Sequence, residues 1–312
     1  MNVVAPRYRS LSSWLKEIFG ETVRKITIDA GLGCPNRDGV MSVRGCAYCN
    51  PRGSGTGAWS QGLSVGRQVD EGVEFVSRRY RCKKFIAYFQ SFSNTYAEPD
   101  RLAALYSEAI RRPEIVGLAV GTRPDCVADE VLDLLAKIAR DRLVWLEYGL
   151  QSIHERTLEL INRGHGPEEF VDAVSRTNQR GIPVVAHLIL GLPGETVGDM
   201  VETARAVVSL GVHGVKLHPL YVVRGTELER MLVDGLYRPM TQMEAAEATL
   251  AVLEVLPRET VIHRITSDPH PEELVAPKWM LDKRSVRSHL ERLMQERNSA
   301  QGSRHGVGRG KV

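Results

Sequence analysis

Short, nearly unbroken apolar runs alternate along the chain with longer segments whose apolar residues recur at helical spacing. The runs are KITIDAG (25–31), FIAYFQ (85–90), IVGLAVGT (115–122), LVWLEYGL (143–150), PVVAHLILGLP (183–193) and GVKLHPLYVV (214–223). Apolar character barely alternates within them, which predicts strands covered on both faces. Between them, Val65, Val69, Val73 and Val76 share one helical face, and so do Val131, Leu134, Leu135 and Ile138. Asp100 before RLAALYSEAI and Thr196 before VGDMVETARAVVSLG mark helix starts, and the second helix stops at Gly211. Repeated strand–helix alternation predicts right-handed βαβ units on a parallel sheet, either open and doubly wound or rolled into a barrel. Both arrangements place chemistry beyond the C-terminal ends of the strands. The predicted organisation is a helical extension over 1–24, the α/β unit over 25–225, a mostly helical extension over 226–297, and a disordered basic tail over 298–312.

The chain of 312 residues is 43% hydrophobic and 25% charged, which is ordinary for a globular protein. No stretch of about 18 apolar residues predicts a membrane span. The first twenty residues lack the apolar core of a secretory signal, so a reducing, cytoplasmic setting is expected. The net charge of +3 is uneven: residues 282–312 hold eight Lys/Arg and only three acids. Such a segment suits an acidic partner such as nucleic acid, or is simply a solvated helix end and tail.

Three of the five cysteines fall in CPNRDGVMSVRGCAYCN (34–50), directly after the first predicted strand. Cys46 and Cys49 have the spacing of a zinc ligand pair, with Cys34 as a third ligand, but no nearby His or Cys supplies a fourth. Three unrelated buried thiols would not need the tight spacing. The third reading is a [4Fe–4S] cluster held by three thiolates, with one iron left open to chelate a small molecule.

These cysteines, with YFQSFSNTYA (88–97), GTRPDC (121–126), LEYGLQSIHERTLELINRGH (146–165) and HLILGLPGET (187–196), resemble the radical S-adenosylmethionine (SAM) superfamily. Within it the chain resembles the YhcC/YtqA-type proteins, related to the radical-SAM half of the Elongator catalytic subunit. The wide C-x11-C-x2-C spacing departs from the commoner C-x3-C-x2-C and agrees with that branch. The resemblance implies a partial (βα)6 TIM-type barrel, with a [4Fe–4S] cluster on Cys34, Cys46 and Cys49 and SAM as second cofactor. It also implies reductive SAM cleavage to a 5′-deoxyadenosyl radical, fed by an electron donor such as flavodoxin or ferredoxin. It places Tyr48 beside the adenine, Gln90 or Ser91 at the SAM amine, and Arg163 at the SAM carboxylate. Its relatives' association with tRNA implies modification of a wobble uridine side chain. A small metabolite as substrate, or a non-catalytic iron–sulfur or zinc protein that binds RNA, are the alternatives.

Other positions carry expectations of their own. Glu147 lies in an apolar run, where a carboxylate needs a partner. It is read as a SAM contact or as half of a salt bridge. Gln151 and Ser152, at the same strand end, suit the ribose hydroxyls. Arg123 is expected to hold an anionic substrate group. Cys126 is a hydrogen-atom donor or a plain buried thiol. Lys216, inside a strand, must meet an anion or reach the substrate. His187 and His218 read as satisfied core histidines.

Overall fold

A computed structural model describes residues 6–50, 53 and 57–306. After α1 (Leu11–Phe19), the chain alternates through β1 (Val23–Ile28), α2 (Val65–Tyr80), β2 (Lys84–Phe89), α3 (Pro99–Ala109), β3 (Ile115–Thr122), α4 (Asp129–Ile138) and β4 (Leu143–Gln151). It continues through α5 (Glu155–Leu160), α6 (Pro167–Gln179), β5 (Val184–Leu190), α7 (Val197–Ser209) and β6 (Gly214–Pro219). The remainder adds β7 (Val222–Val223), α8 (Glu227–Val233), α9 (Gln242–Val255), β8 (Val261–Arg264), β9 (Leu274–Ala276) and α10 (Lys283–Glu296). Seven strands form one parallel sheet in the order β1-β2-β3-β4-β5-β6-β8, and β7 and β9 form a separate antiparallel ribbon.

Alternation along the strands divides the side chains between two faces. Ile26, Ile28, Phe85, Phe89, Leu118, Leu146, Val184 and Leu217 face the helices and merge with α2, α4, α6, α7 and α9 into the main apolar core. On the other face, Lys25 of β1 and His263 of β8 come from opposite edges of the sheet. The Lys25 ammonium and the His263 ring nitrogen nevertheless lie 2.6 and 3.8 Å from the same Glu147 carboxylate oxygen. A flat seven-stranded sheet would hold those edges about 29 Å apart. The sheet is therefore rolled into a part-barrel, and this inner face is its lumen.

The N-terminal end of the lumen is plugged. Val23, Ile86, Trp145, Val185 and Val261 point inward there, and Trp14 and Leu15 of α1 pack against them. Trp14 stands edge-on to Trp145, with ring centroids 6.1 Å apart, and lies 4.6 Å from the ring of His213. Chemistry is left to the other end.

The extension expected to be mostly helical over 226–297 holds α8, α9 and α10 and also β8, a seventh parallel strand of the barrel. The structure corrects two other expectations. The α3 cap is Glu98, not Asp100, because Pro99 takes the first helical position, where its missing N–H costs nothing. The tail expected to be disordered from 298 is folded through 306, and 307–312 lie outside the described residues. Its order rests on polar anchors that an apolar count overlooks. The Gln301 amide donates to the Pro257 and Thr260 carbonyls at 2.5 and 2.8 Å, and its oxygen accepts from Arg9 N at 2.8 Å. Ser299 and Arg304 bind Glu254 at 2.6 and 3.0 Å.

Candidate cofactor site at the barrel mouth

The segment after β1 is shaped by its own backbone. Arg37 N and Asp38 N donate to Cys34 O at 2.8 and 3.2 Å, and Cys49 N donates to Cys46 O at 2.9 Å, forming two tight turns that start at cysteines. Gly45 adopts φ +74°, and a Cβ there would meet Arg37 Nε at 2.8 Å. Ala47 N bonds Ile161 O at 2.8 Å and Leu228 N bonds Ala47 O at 2.8 Å, tying the segment to α5 and α8. Cys34, Cys46 and Cys49 consequently line one cavity of about 720 Å³ over the strand ends.

The sulfur of Cys46 is met by donors. Asn36 Nδ2 lies 3.5 Å and Arg163 Nη1 3.4 Å from it. Burial pushes the Cys46 thiol up, but the guanidiniums of Arg163 and Arg123 and the Asn36 amide outweigh it, and the thiol is held below its ordinary value. Such a shell favours a thiolate, the form that ligates metal. A single zinc ion, about 2.3 Å from each sulfur, would draw the thiols to within about 3.8 Å of one another. Among the described residues the only trio of potential ligand atoms gathered within 4.8 Å is His154, Asp199 and Glu202. The wider spread of the thiols suits a multi-iron cluster, and Arg163, which lines the cavity, has a buried Nε without a partner among the described residues.

Below the mouth lies a charged layer. Glu147 is fully buried. One carboxylate oxygen accepts from Lys25 Nζ at 2.6 Å and Trp145 Nε1 at 3.0 Å. The other accepts from Lys216 Nζ at 2.8 Å and faces His187 Nε2 at 2.8 Å. Lys216 also donates to the Tyr88 hydroxyl at 2.6 Å. Burial raises Glu147, but the two ammonium groups prevail and hold it well below the carboxylate range. Burial, helped by Arg264 and Lys25 against the pull of Glu147, lowers Lys216 to about 7. Burial beside Lys216 lowers His187 to about 3, so the imidazole is neutral.

Of the residues singled out in the sequence, Tyr48, Gln90, Gln151, Arg123, Glu147, Arg163 and Lys216 line the cavity with the three cysteines. Gly149 makes room among them: a Cβ there would meet Arg163 Nη2 at 2.7 Å and Gln151 Nε2 at 2.8 Å. Several of the residues singled out differ from expectation in what they contact or where they stand. The Arg123 guanidinium is occupied by Asp125, at 2.9 and 2.7 Å, and by Arg163 O at 2.8 Å, so it braces the wall and is not free for a substrate anion. Arg163 donates to Cys46 Sγ and, at 2.6 Å, to Gly149 O. Ser152 is buried against Glu195, with which it hydrogen-bonds, and stands outside the lining. Ser91 and Cys126 also stand outside it. Cys126 is half-buried against Asp125, with burial and that carboxylate raising its thiol to about 12. Lys25, Tyr88, His263 and Arg264 were not anticipated. Lys25 carried the same signal as Lys216, a cation inside an apolar strand.

Comparisons with known proteins agree with this geometry. The Radical SAM superfamily model matches residues 31–207, and the Radical_SAM C-terminal domain model matches residues 212–296. YtqA of Bacillus subtilis is 36% identical over 296 residues, covering 95% of this chain and 92% of YtqA. A tRNA uridine(34) acetyltransferase of Methanocaldococcus infernus is 29% identical over 156 residues, 49% of this chain and 29% of that protein. The solved structure of the Methanocaldococcus infernus Elp3 lacking residues 1–46 shares the fold. Its TM-score is 0.70 at 18% identity, covering 89% of this chain and 64% of that one. No helix among the described residues is long and apolar enough to cross a membrane. The chain belongs to the radical SAM superfamily, in the branch that includes YtqA, and its cofactors are a [4Fe–4S] cluster and SAM.

Proposed function

We propose that the protein modifies the side chain of a tRNA wobble uridine, working in the cytoplasm with a one-electron donor such as flavodoxin or ferredoxin. The observation that carries this reading is a thiol trio, with N–H donors on the Cys46 sulfur, at the mouth of a cavity with a cationic floor. The likeness across 49% of the chain to a protein named for tRNA uridine(34) supports it, and so does the charge around the mouth. Lys283 of α10 lines the cavity, paired there with Asp268, and Arg284, Arg287 and Arg292 continue along the same helix in exposed positions. The rest of the basic segment is partly neutralised, because Arg297 pairs with Glu247 and Arg304 with Glu254.

Cys34, Cys46 and Cys49 would hold the cluster. The chemistry available once cluster and SAM are bound is reductive cleavage of the sulfonium carbon–sulfur bond to a 5′-deoxyadenosyl radical. The chain's own residues prepare for it. Asn36 and Arg163 fix the Cys46 sulfur and lower its basicity. Gly149 leaves the space a cofactor needs, and Gln90, Gln151 and Tyr48 are the residues we assign to SAM. The plug of Trp14 and Trp145 closes the N-terminal end of the lumen, and Glu147 holds Lys216 and Lys25 in fixed positions above it. The decisive experiment is mass spectrometry of tRNA nucleosides from cells lacking the protein. A wobble uridine derivative should be lost and its precursor should accumulate. An unchanged nucleoside profile rejects the RNA substrate and favours a small metabolite.

A further inference from the structure

The cations of the lumen are not matched by its acids. Glu147 is one carboxylate shared between Lys25 and Lys216. Arg264, at the end of β8, adds a third cation. Among the described residues its side chain forms no ion pair or hydrogen bond, and its Nε is buried without a partner. His218, at the end of β6, likewise has a buried Nε2 without a partner. Its ring is 5.2 Å from that of Tyr221. Burial and the nearby Arg264 keep this imidazole neutral, so Nε2 can carry a proton and donate it. Both side chains line the cavity. Buried donors without partners are costly unless a ligand satisfies them, and an arginine fork is shaped for an oxyanion.

A second observation says where the oxyanion comes from. Arg264 also lines a separate cleft between the two edges of the rolled sheet, where Arg24 of β1, Tyr80 of α2, Tyr8 and Arg287 of α10 surround it. The Arg24 guanidinium sits over the Tyr80 ring, 4.6 Å from its centroid. Arg264 thus stands where the reaction cavity meets a surface cleft rimmed by cations and aromatic rings. That composition follows a phosphodiester chain, with rings available for bases.

We propose that Arg264, supported by His218, receives a backbone phosphate next to the nucleotide that enters the cavity, and that the strand leaves through the cleft between β1 and β8. This deepens the RNA reading and rests on it. It assigns the anion-binding role not to Arg123, which Asp125 occupies, but to a residue of the seventh strand.

The test uses cluster-loaded protein and a fluorescent anticodon stem–loop RNA, with anisotropy followed across a salt series. Arg264→Gln should weaken binding about tenfold at low salt. It should also lower the slope of log affinity against log salt by about 0.7, the value of one single-stranded phosphate contact. Arg264→Lys should keep that slope. SAM affinity and iron content should match wild type in both variants, which separates the effect from misfolding. Inorganic phosphate should slow modification of Arg264 by an arginine-specific dicarbonyl, read by peptide mass spectrometry. Wild-type affinity and slope in Arg264→Gln overturn the assignment while leaving the RNA reading intact. Protection by acetate but not phosphate also overturns it, and reassigns the site to a carboxylate. Wild-type protein that binds no RNA refutes the RNA reading itself.

Discussion

Cys46 and Cys126 show how neighbours decide the chemistry of a thiol. Cys46 faces Asn36 and Arg163, whereas Cys126 faces the Asp125 carboxylate. Alanine at Cys34, Cys46 or Cys49 should abolish the iron chromophore and SAM cleavage, whereas Cys126→Ala should retain full iron content. Iron assay and anaerobic 5′-deoxyadenosine release check both outcomes. Lys216 offers a different measurement. Its folded value of about 7 lies below the ordinary 10.5, so between those values the unfolded chain binds more protons than the folded one. Unfolding free energy from this group must then rise with pH above about 7, and the burial penalty is fully present below it. The thermal midpoint of wild type relative to Lys216→Met should be flat from about pH 5.5 to 6.5 and climb from about pH 7 to 9. At this scale the cysteines were legible, because three thiols in one short segment have few other uses. Arg123 was expected at the substrate because it ends a legible strand, and Arg264 was missed because its strand was not legible. Only the fold reveals that Asp125, two residues away, occupies the first and that nothing described occupies the second.

Strand β4 carries more of the site than any other element. It contributes Glu147 to the floor, Gly149 to the wall, and Gln151, at φ +78°, to the rim. A positive φ is costly for a side chain other than glycine and persists only where the surroundings hold it. Gly149→Ala would push a methyl group into the guanidinium that supports Cys46. Iron content and SAM affinity should each fall several-fold while the far-ultraviolet circular dichroism stays unchanged. Strands β1 to β6 were legible as elements because each is a nearly continuous apolar run, although the run 214–223 divides into β6 and β7. β8 was not. It has four residues, VIHR, half of them polar, because its inward face meets the charged layer and not a hydrocarbon core. α3 shows a smaller version of the same gap: Asp100 has the chemistry of a cap, but Pro99 fixes the geometry one position earlier.

Across the whole molecule, segments far apart in sequence complete the barrel. Arg9 O accepts from Ile262 N at 2.8 Å, so residues 9–10 line the free edge of β8. Arg7 O accepts from Gln301 N at 2.9 Å on the other side. Gln301→Ala would leave two carbonyls and one N–H of this junction without partners. It should cost about 2–4 kcal/mol, read as a lower urea midpoint with an unchanged m value. The layered α/β plan was legible from alternation alone, but its curvature was not. Rolling became evident only through Glu147, whose carboxylate gathers partners from both edges of the sheet.

That junction also orders the events of folding. The edge of β8 is sealed by residues made some 250 positions earlier, and these are held in turn by a segment that follows α10. Closing so large a loop is slow. Until it closes, the early segment has no strand to join and β8 presents bare N–H and C=O groups, the template on which chains pair wrongly. A ribosome-bound chain that stops short of residue 301 should therefore be the form most in need of a chaperone.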